Sequence, residues 1–371
     1  VASETILSQV DVQRMESLCD ERLISRQRHP TEDLLIWNYT ALCQYKFAWD
    51  EYTRMCRGLI TDSQGDIVAR PFPKFHNIEE HSGSDCRLPP LDWRKPFICT
   101  QKEDGSLGIL YPSKEGWKIA TRGSFTSDQA LHATEIFRKK GYDKYIYSKD
   151  LTYLFEIIYP DNRIVLDYKG MDDLILLEIL DTGTGNALKW ESVSKIAKEI
   201  GCPVVSCIEL SVENIQRLEE LFGKDRGGEE EGIVVRFEDG TRCKVKYGEY
   251  KRLHRLITGC SPRSIWENLK DGKSLEELLE HVPDEFNSWV QKNVELIKGD
   301  YKVMEGECEQ IFKKIKKLGD VDRKTYAQEI LEHGILSKIL FQMLDGKNYS
   351  ETVWKMIKPD STKPFRPDID S

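Results

Sequence analysis

Nowhere does the chain hold an apolar run approaching the roughly 18–20 residues that a membrane-spanning helix needs. The opening segment, VASETILSQVDVQRMESLCDERL, has no apolar centre and carries acids early, so it does not read as a secretory signal. None of the ten cysteines forms a C-x-x-C or a pair of ligand knuckles, which argues against a structural zinc site. Without a signal, the cysteines read as reduced thiols of an intracellular protein, cytoplasmic or nuclear. No internal repeat is present. Basic charge is in deficit: 54 Lys+Arg against 63 Asp+Glu leave a net charge of −9. That argues against a general nucleic-acid coat but leaves room for a local basic groove, since the field that matters is local. The chain opens on Val1 instead of Met, as a processed or trimmed chain does.

What remains is the balance of a globular protein, and 371 residues exceed what one core usually serves. Residues 1–249 are rich in short β runs: DLLIWNYT, RGLITDSQGDIVARPF, KPFICTQKEDGSLGILYPS, GWKIATRGS, TYLFEIIYP, RIVLDY, DLILLEILD, GIVVRF and TRCKVKY. Turn dipeptides at Gln64-Gly65, Asp104-Gly105 and Asp239-Gly240 predict hairpins and largely antiparallel sheets. A helix is expected from the cap at Thr126-Ser127-Asp128 to about Gly141, with others in ESVSKIAKEIG and SVENIQRLEELFG. The fold class is therefore α+β. From residue 250 strand signals vanish and helical spacing takes over, which places an all-helical domain at 250–358. The Pro-rich polar stretch 359–371 reads as a linker or tail and is expected to lead into further chain.

Four constellations carry chemistry. Lys102-Glu103-Asp104-Gly105-Ser106 is either a plain turn beside a solvated lysine or a lysine nucleophile at a tight strand–turn–strand. A nucleophilic amine must be neutral, and neighbouring cations with partial desolvation are expected to lower its pKa. In the hairpin Glu231 to Lys246, strand alternation puts Lys244 and Lys246 on one face, Cys243 and Val245 on the other. Such a pair can clamp a phosphate chain, or simply decorate a wet face. Glu231 opens the facing strand, where its carboxylate could hold a metal ion. Glu156, alone in the apolar run FEIIYP, needs a partner, either a base or a ribose or metal. Arg57 and Lys74, on β-rich segments ahead of Lys102, are suited to the outer phosphates of a nucleotide, and Arg122 adds a further cation after it, or all three merely decorate the surface.

KEDGS, FEIIYP, LILLEIL, EGIVV and KVK, in this order, resemble the nucleotidyltransferase motifs of the covalent ligase and capping superfamily. CRGLITD, ARPFPKFHN, the RGS-then-helix segment, PDNRIVLDY and, further on, DRKTYA narrow the likeness to the phage-type ATP-dependent RNA ligases, the RNA ligase 1 family of tRNA-repair type. The resemblance spans about residues 35–335. It implies an antiparallel-sheet adenylyltransferase domain and makes Lys102 the AMP-bearing nucleophile. Lys244, Lys246 and Glu231 join it as catalytic residues. Arg57, Lys74, Gln101, Gly105, Arg122, Glu156, Leu176 and Gly232, with Lys244 and Lys246, bind the nucleotide. Glu231 and Glu156 hold Mg²⁺ or Mn²⁺. Leu176 and Leu177 mark the run that covers the adenine. Two departures stand out: His76 replaces the second aromatic after Lys74, and Leu107 follows KEDGS where DNA ligases and capping enzymes carry Arg.

The implied reaction is sealing of 5′-phosphate and 3′-hydroxyl RNA ends by way of lysyl–AMP and RNA-adenylate. Its expected partners are RNA ends, such as a tRNA with a broken anticodon loop, and an end-healing kinase or phosphatase, with no membrane. Eight Lys/Arg against two Glu between 242 and 270 offer a path for RNA phosphates, or a set of helix-surface charges. The alternatives are a DNA ligase or capping guanylyltransferase, an RNA-binding protein without catalysis, and a protein-modifying nucleotidyltransferase.

Overall fold

The computed structural model describes residues 9–81, 88–162, 164–216, 230–247, 257, 259–273, 284–319 and 321–362. The chain divides into two compact units, Val1–Arg252 and Leu253–Ser371.

The first unit is α+β and holds three sheets. β1 (Ile24–Arg28), β2 (Leu35–Tyr39), β3 (Arg57–Thr61) and β4 (Ile67–Ala69) form an antiparallel meander. The helix Val12–Asp20, capped by Asp11, lays Met15 and Leu18 on it against Trp37 and Leu59. β5 (His76–Asn77) and β6 (Phe97–Lys102) belong to another sheet, while β7 (Ser106–Ser113), β8 (Gly116–Ala120), β9 (Leu151–Ile158) and β10 (Asp173–Asp181) build a second one, ordered β10-β9-β7-β8. Alternation gives that sheet two dry faces. Leu110, Tyr153, Phe155 and Ile157 pack against the helices Asp128–Lys139 and Trp190–Ile200, whereas Ile109, Tyr111 and Leu154 pack against Ile36 and Ile60 of the first sheet. Glu156 shares the parity of Leu154 on β9. Ser127 caps the first of those helices, as the sequence predicts.

β11 (Cys207–Ile208), β12 (Gly232–Phe237) and β13 (Arg242–Lys246) complete the third sheet, ordered β11-β6-β12-β13-β5. Its pairings are antiparallel except β13 with β5, which run parallel. Asp239-Gly240 is the expected hairpin, with Gly240 in the left-handed region at φ 85°.

Two expectations are corrected. Asp104-Gly105 does not join a hairpin: β6 and β7 lie in different sheets, and KEDG is the crossing between them. RIVLDY forms no strand over its described residues 164–168. Val165 N and Leu166 N instead donate to Asp104 Oδ2, both at 2.8 Å, so a carboxylate takes the hydrogen bonds that a strand would have used.

The second unit is helical among its described residues: Pro262–Lys270, the long Asp284–Lys316, Arg323–Leu331, Ser337–Leu344 and Ser350–Met356. Cys308, Ile315, Ile330, Leu340 and Val353 form its core. DRKTYA starts the third of these helices, with Asp322 as its cap. None of the described helices is long and apolar enough to cross a membrane.

Candidate active site

Strand register lines up the chemistry. Lys102 on β6, Gly232 on β12 and Lys246 on β13 are neighbours in one row across three strands. Thr100, Val234 and Lys244 form the next row, and Ile98, Arg236 and Arg242 the one after. The alternate residues Ile233, Val235, Cys243 and Val245 are buried on the opposite face. The lysine face meets Leu107, Glu156 and Leu177 of the second sheet, and Asn38 and Arg57 of the first, around a cavity of about 490 Å³.

Gly232 has to be glycine. It lies at φ 151°, and a Cβ there would stand 2.0 Å from Val245 O. The empty position lets two lysines converge from either side on the residue before it. Glu231 is buried, with Oε2 2.6 Å from Lys102 Nζ and Oε1 2.7 Å from Lys246 Nζ. At Gly105 the reason is space: an added Cβ would come within 2.5 Å of Ile157 O. Gly105 N donates to Glu156 Oε1 at 2.9 Å, so the crossing loop is tied to both β9 and the 165–168 segment.

The carboxylates invert the expected electrostatics of Lys102. Burial pushes its pKa down, but Glu231, Glu156 and Asp104 outweigh burial and hold it above the usual lysine value. The resting amine is therefore a cation. Glu156 is pushed up to about 7, by burial first, against the pull of Lys102. Within 4 Å it has no basic partner among the described residues, so it is not one half of a structural ion pair. The lysine with the depressed pKa is Lys244, brought to about 7 by burial and then by Lys74, Lys246, Lys102 and Arg57.

That value carries a prediction. A phosphate group held by Lys244 would bind its protonated form, so the nucleotide binding that the sequence resemblance implies is expected to take up a proton there near neutral pH. Its affinity should fall as pH rises above about 7, by up to about tenfold per unit. Titration of a non-reactive ATP analogue across pH, against a Lys244→Met variant with a flatter profile, checks this; identical profiles would contradict it.

The remaining cations sit at the cavity and its rim. Arg57 is half-buried, its buried Nη1 without a hydrogen-bond partner, and it lies over Phe75. Arg122 bonds Tyr39 Oη at 3.1 Å. Lys74 lies between the rings of Tyr39 and Trp49 and is not part of the cavity wall. His76 is buried beside Glu80 and away from the cavity, so Phe75 and Phe72 are the aromatics that line it.

One assignment moves by a residue. Leu176 is fully buried in the helix-side core and cannot cover a base. The register slips between Leu176 and Glu178 where β10 pairs with β9, and this bulge turns Leu177 to the cavity. Gln101, Gly105 and Glu156 line the cavity, whereas Glu231, Gly232, Lys244 and Lys246 are not among its lining residues. Unanticipated are Tyr168, whose Oη accepts from Asp104 N and donates to Glu103 Oε2, and the buried group Glu178, Arg236 and Arg242. The lone acid inside the apolar run LILLEIL is the available signal for Glu178; nothing local marks Tyr168. In the proposed basic path Lys251, Arg252 and Arg255 lie outside the described residues, as does Arg163 of PDNRIVLDY.

The chain is similar in sequence to known proteins. The family model described as RNA ligase matches residues 55–251. An RNA ligase of Rhodothermus phage RM378 is 25% identical over 365 residues, covering 82% of this chain and 80% of the phage protein. A protein of Thermovibrio ammonificans named as an RNA ligase is 30% identical over 220 residues, 55% of this chain and 54% of its own length. A protein of Autographa californica nuclear polyhedrosis virus, named as a bifunctional polynucleotide kinase/RNA ligase, is 25% identical over 265 residues, 65% of this chain and 36% of the viral protein. The chain thus spans about half and about a third of these last two.

Proposed function

Because the chain belongs to the RNA ligase family, we propose that it joins 5′-phosphate to 3′-hydroxyl RNA ends with ATP, using Lys102 as the nucleophile. The observation that carries this reading is Lys102 at the cavity wall, bound to Glu231, with Arg57 and Arg122 in the same wall and Lys244 and Lys246 on the same face of its sheet. Leu177 and Val234 supply apolar walls for adenine, and Glu156 an acceptor for the ribose. Lys244 and Lys246 meet the α-phosphate; Arg57, Lys74 and Arg122 meet the outer ones.

In the first step Lys102 Nζ forms a bond to the α-phosphorus and pyrophosphate leaves. Because the resting amine is a cation, it first gives one proton to Glu231 Oε2, the nearest carboxylate oxygen at 2.6 Å, which exposes its lone pair; the second proton leaves the nitrogen after the bond forms and departs with pyrophosphate. The AMP then passes to the 5′-phosphate of RNA, and a 3′-hydroxyl displaces it. Each step builds charge on non-bridging oxygens, so fixed cations are the main catalytic resource. Mg²⁺ or Mn²⁺ fits this site as an ion brought largely by the nucleotide. Glu156 is a buried carboxylate that lines the cavity and Glu231 a buried one held against Lys102, while among the described residues no three His, Cys, Asp or Glu side chains gather as a ligand set. Bound through one or both of these carboxylates and ATP oxygens, it would offset charge on the triphosphate.

We further propose that residues 250–358 select the RNA, a broken anticodon loop being one substrate class, and that a kinase supplies the 5′-phosphate while a phosphatase frees the 3′-hydroxyl. The fusion of kinase and ligase named for the viral relative supports the kinase. The test is ligation of single-stranded and of anticodon-loop-nicked RNA, each with 5′-phosphate and 3′-hydroxyl ends, with ATP and Mg²⁺. Sealing of either supports the function. Labelling by GTP and not ATP, or sealing of nicked DNA alone, would contradict it.

A further inference from the structure

The cations of the site are held in two different ways. Lys102 and Lys246 each lie within 2.7 Å of a Glu231 oxygen. Arg57, Lys74, Arg122 and Lys244 make no ion pair with a carboxylate among the described residues, and rest on aromatic rings. Phe75 carries Arg57 at 5.3 Å and Lys244 at 5.8 Å. Tyr39 carries Lys74 at 5.6 Å and Arg122 at 5.0 Å. A ring face holds a cation through its quadrupole without cancelling the charge. A carboxylate would fix the same cation and neutralise it, and would repel an incoming phosphate.

Tyr39 is built as such a seat. It is 7% exposed, and Trp49 meets it edge-on at 5.0 Å while also lying under Lys74 at 5.3 Å. Its hydroxyl accepts from Arg122 Nη1 at 3.1 Å, which fixes the guanidinium in direction as well as height. Tyr39 N donates to Cys56 O, so the residue before Arg57 is tied to the same point. We propose that Tyr39 is a positioning residue for the outer phosphates of ATP, holding Lys74 and Arg122 at a fixed spacing with their charge intact. This rests on the reading that those two cations bind the phosphates that leave as pyrophosphate.

The consequence is specific to one step. Outer phosphates are present when Lys102 takes AMP from ATP, and when pyrophosphate reverses that transfer. They are absent when RNA that already carries adenylate is sealed. Tyr39→Leu removes the ring and the hydroxyl; Tyr39→Phe keeps the ring and the volume and removes only the tether to Arg122. For each, three quantities are measured: KM for ATP in AMP transfer, KM for pyrophosphate in its reversal, and the rate of sealing pre-adenylylated RNA.

The Leu variant should raise both KM values about tenfold, and the Phe variant about threefold. Sealing of pre-adenylylated RNA should change by at least about fivefold less than either KM in the Leu variant. Equal losses in all three quantities would mean that Tyr39 merely supports the fold, and unchanged KM values would mean that it does nothing; both overturn the proposal. If the Leu variant fails to fold, the Phe variant decides, since an unaltered KM for pyrophosphate there removes the tether. A wild-type chain that takes no AMP from ATP would instead sink the underlying reading, and the proposal with it.

Discussion

Replacing Lys102 by Ala should abolish transfer of AMP from α-labelled ATP to the protein and cut sealing of 5′-phosphate RNA by at least about 10⁴-fold. The same variant should still seal RNA that carries a pre-attached adenylate, because the lysine forms its bond only with the nucleotide. The cavity, Lys244 and Arg57 remain, so the folded protein should also still bind ATP. Gel autoradiography of the labelled protein, beside a sealing assay on both RNA types, separates these outcomes. Undiminished labelling would show that another side chain is the nucleophile. Equal loss on both RNA types would show that the substitution has damaged more than the first step.

The second large effect is expected at Glu231. It sits in the same row gap that Gly232 leaves open and joins two lysines that are themselves mostly buried. Glu231→Ala leaves both cations without their counter-charge, which should destabilise the first unit by about 3–5 kcal/mol. Activity should fall by about 10³-fold, since Lys102 then loses the group that aims it and accepts its proton. Denaturant unfolding reads the first quantity and AMP transfer the second. The double variant Glu231→Ala with Lys246→Met should recover part of the stability and none of the activity. A single variant as stable as wild type would mean that the two contacts contribute nothing to the fold. Recovery of activity in the double variant would mean that Glu231 acts only by neutralising Lys246.

The motif residues predicted from the sequence come together because their spacing is strand spacing. Lys244 and Lys246 share a face by alternation, and Glu156 faces the cavity for the same reason that Leu154 faces the first sheet. What local pattern could not supply is everything set by pairing between distant segments. The Asp104-Gly105 turn has the composition of a hairpin, yet each flanking strand finds its partners elsewhere, Lys102 beside Gly232 and Ser106 beside Ile157. The bulge that exchanges Leu176 for Leu177 depends on how β10 meets β9. For Lys102 the sequence predicts a lowered pKa and the structure raises it, because the lysines are visible in sequence and the placing of Glu231 and Glu156 near one amine is not. Tyr39 lies at a strand end that no motif marks; only the fold shows that two cations rest on it.

The central claim is that Lys102 is the atom-bearing link between ATP and RNA. Wild-type protein incubated with ATP and Mg²⁺, then digested and mapped by mass spectrometry, tests it without any substitution. The account predicts one acid-labile AMP adduct, on the peptide containing Lys102 and at that residue. An adduct at Lys244 or Lys246, or a protein that consumes ATP and seals RNA while bearing no adduct, would contradict it.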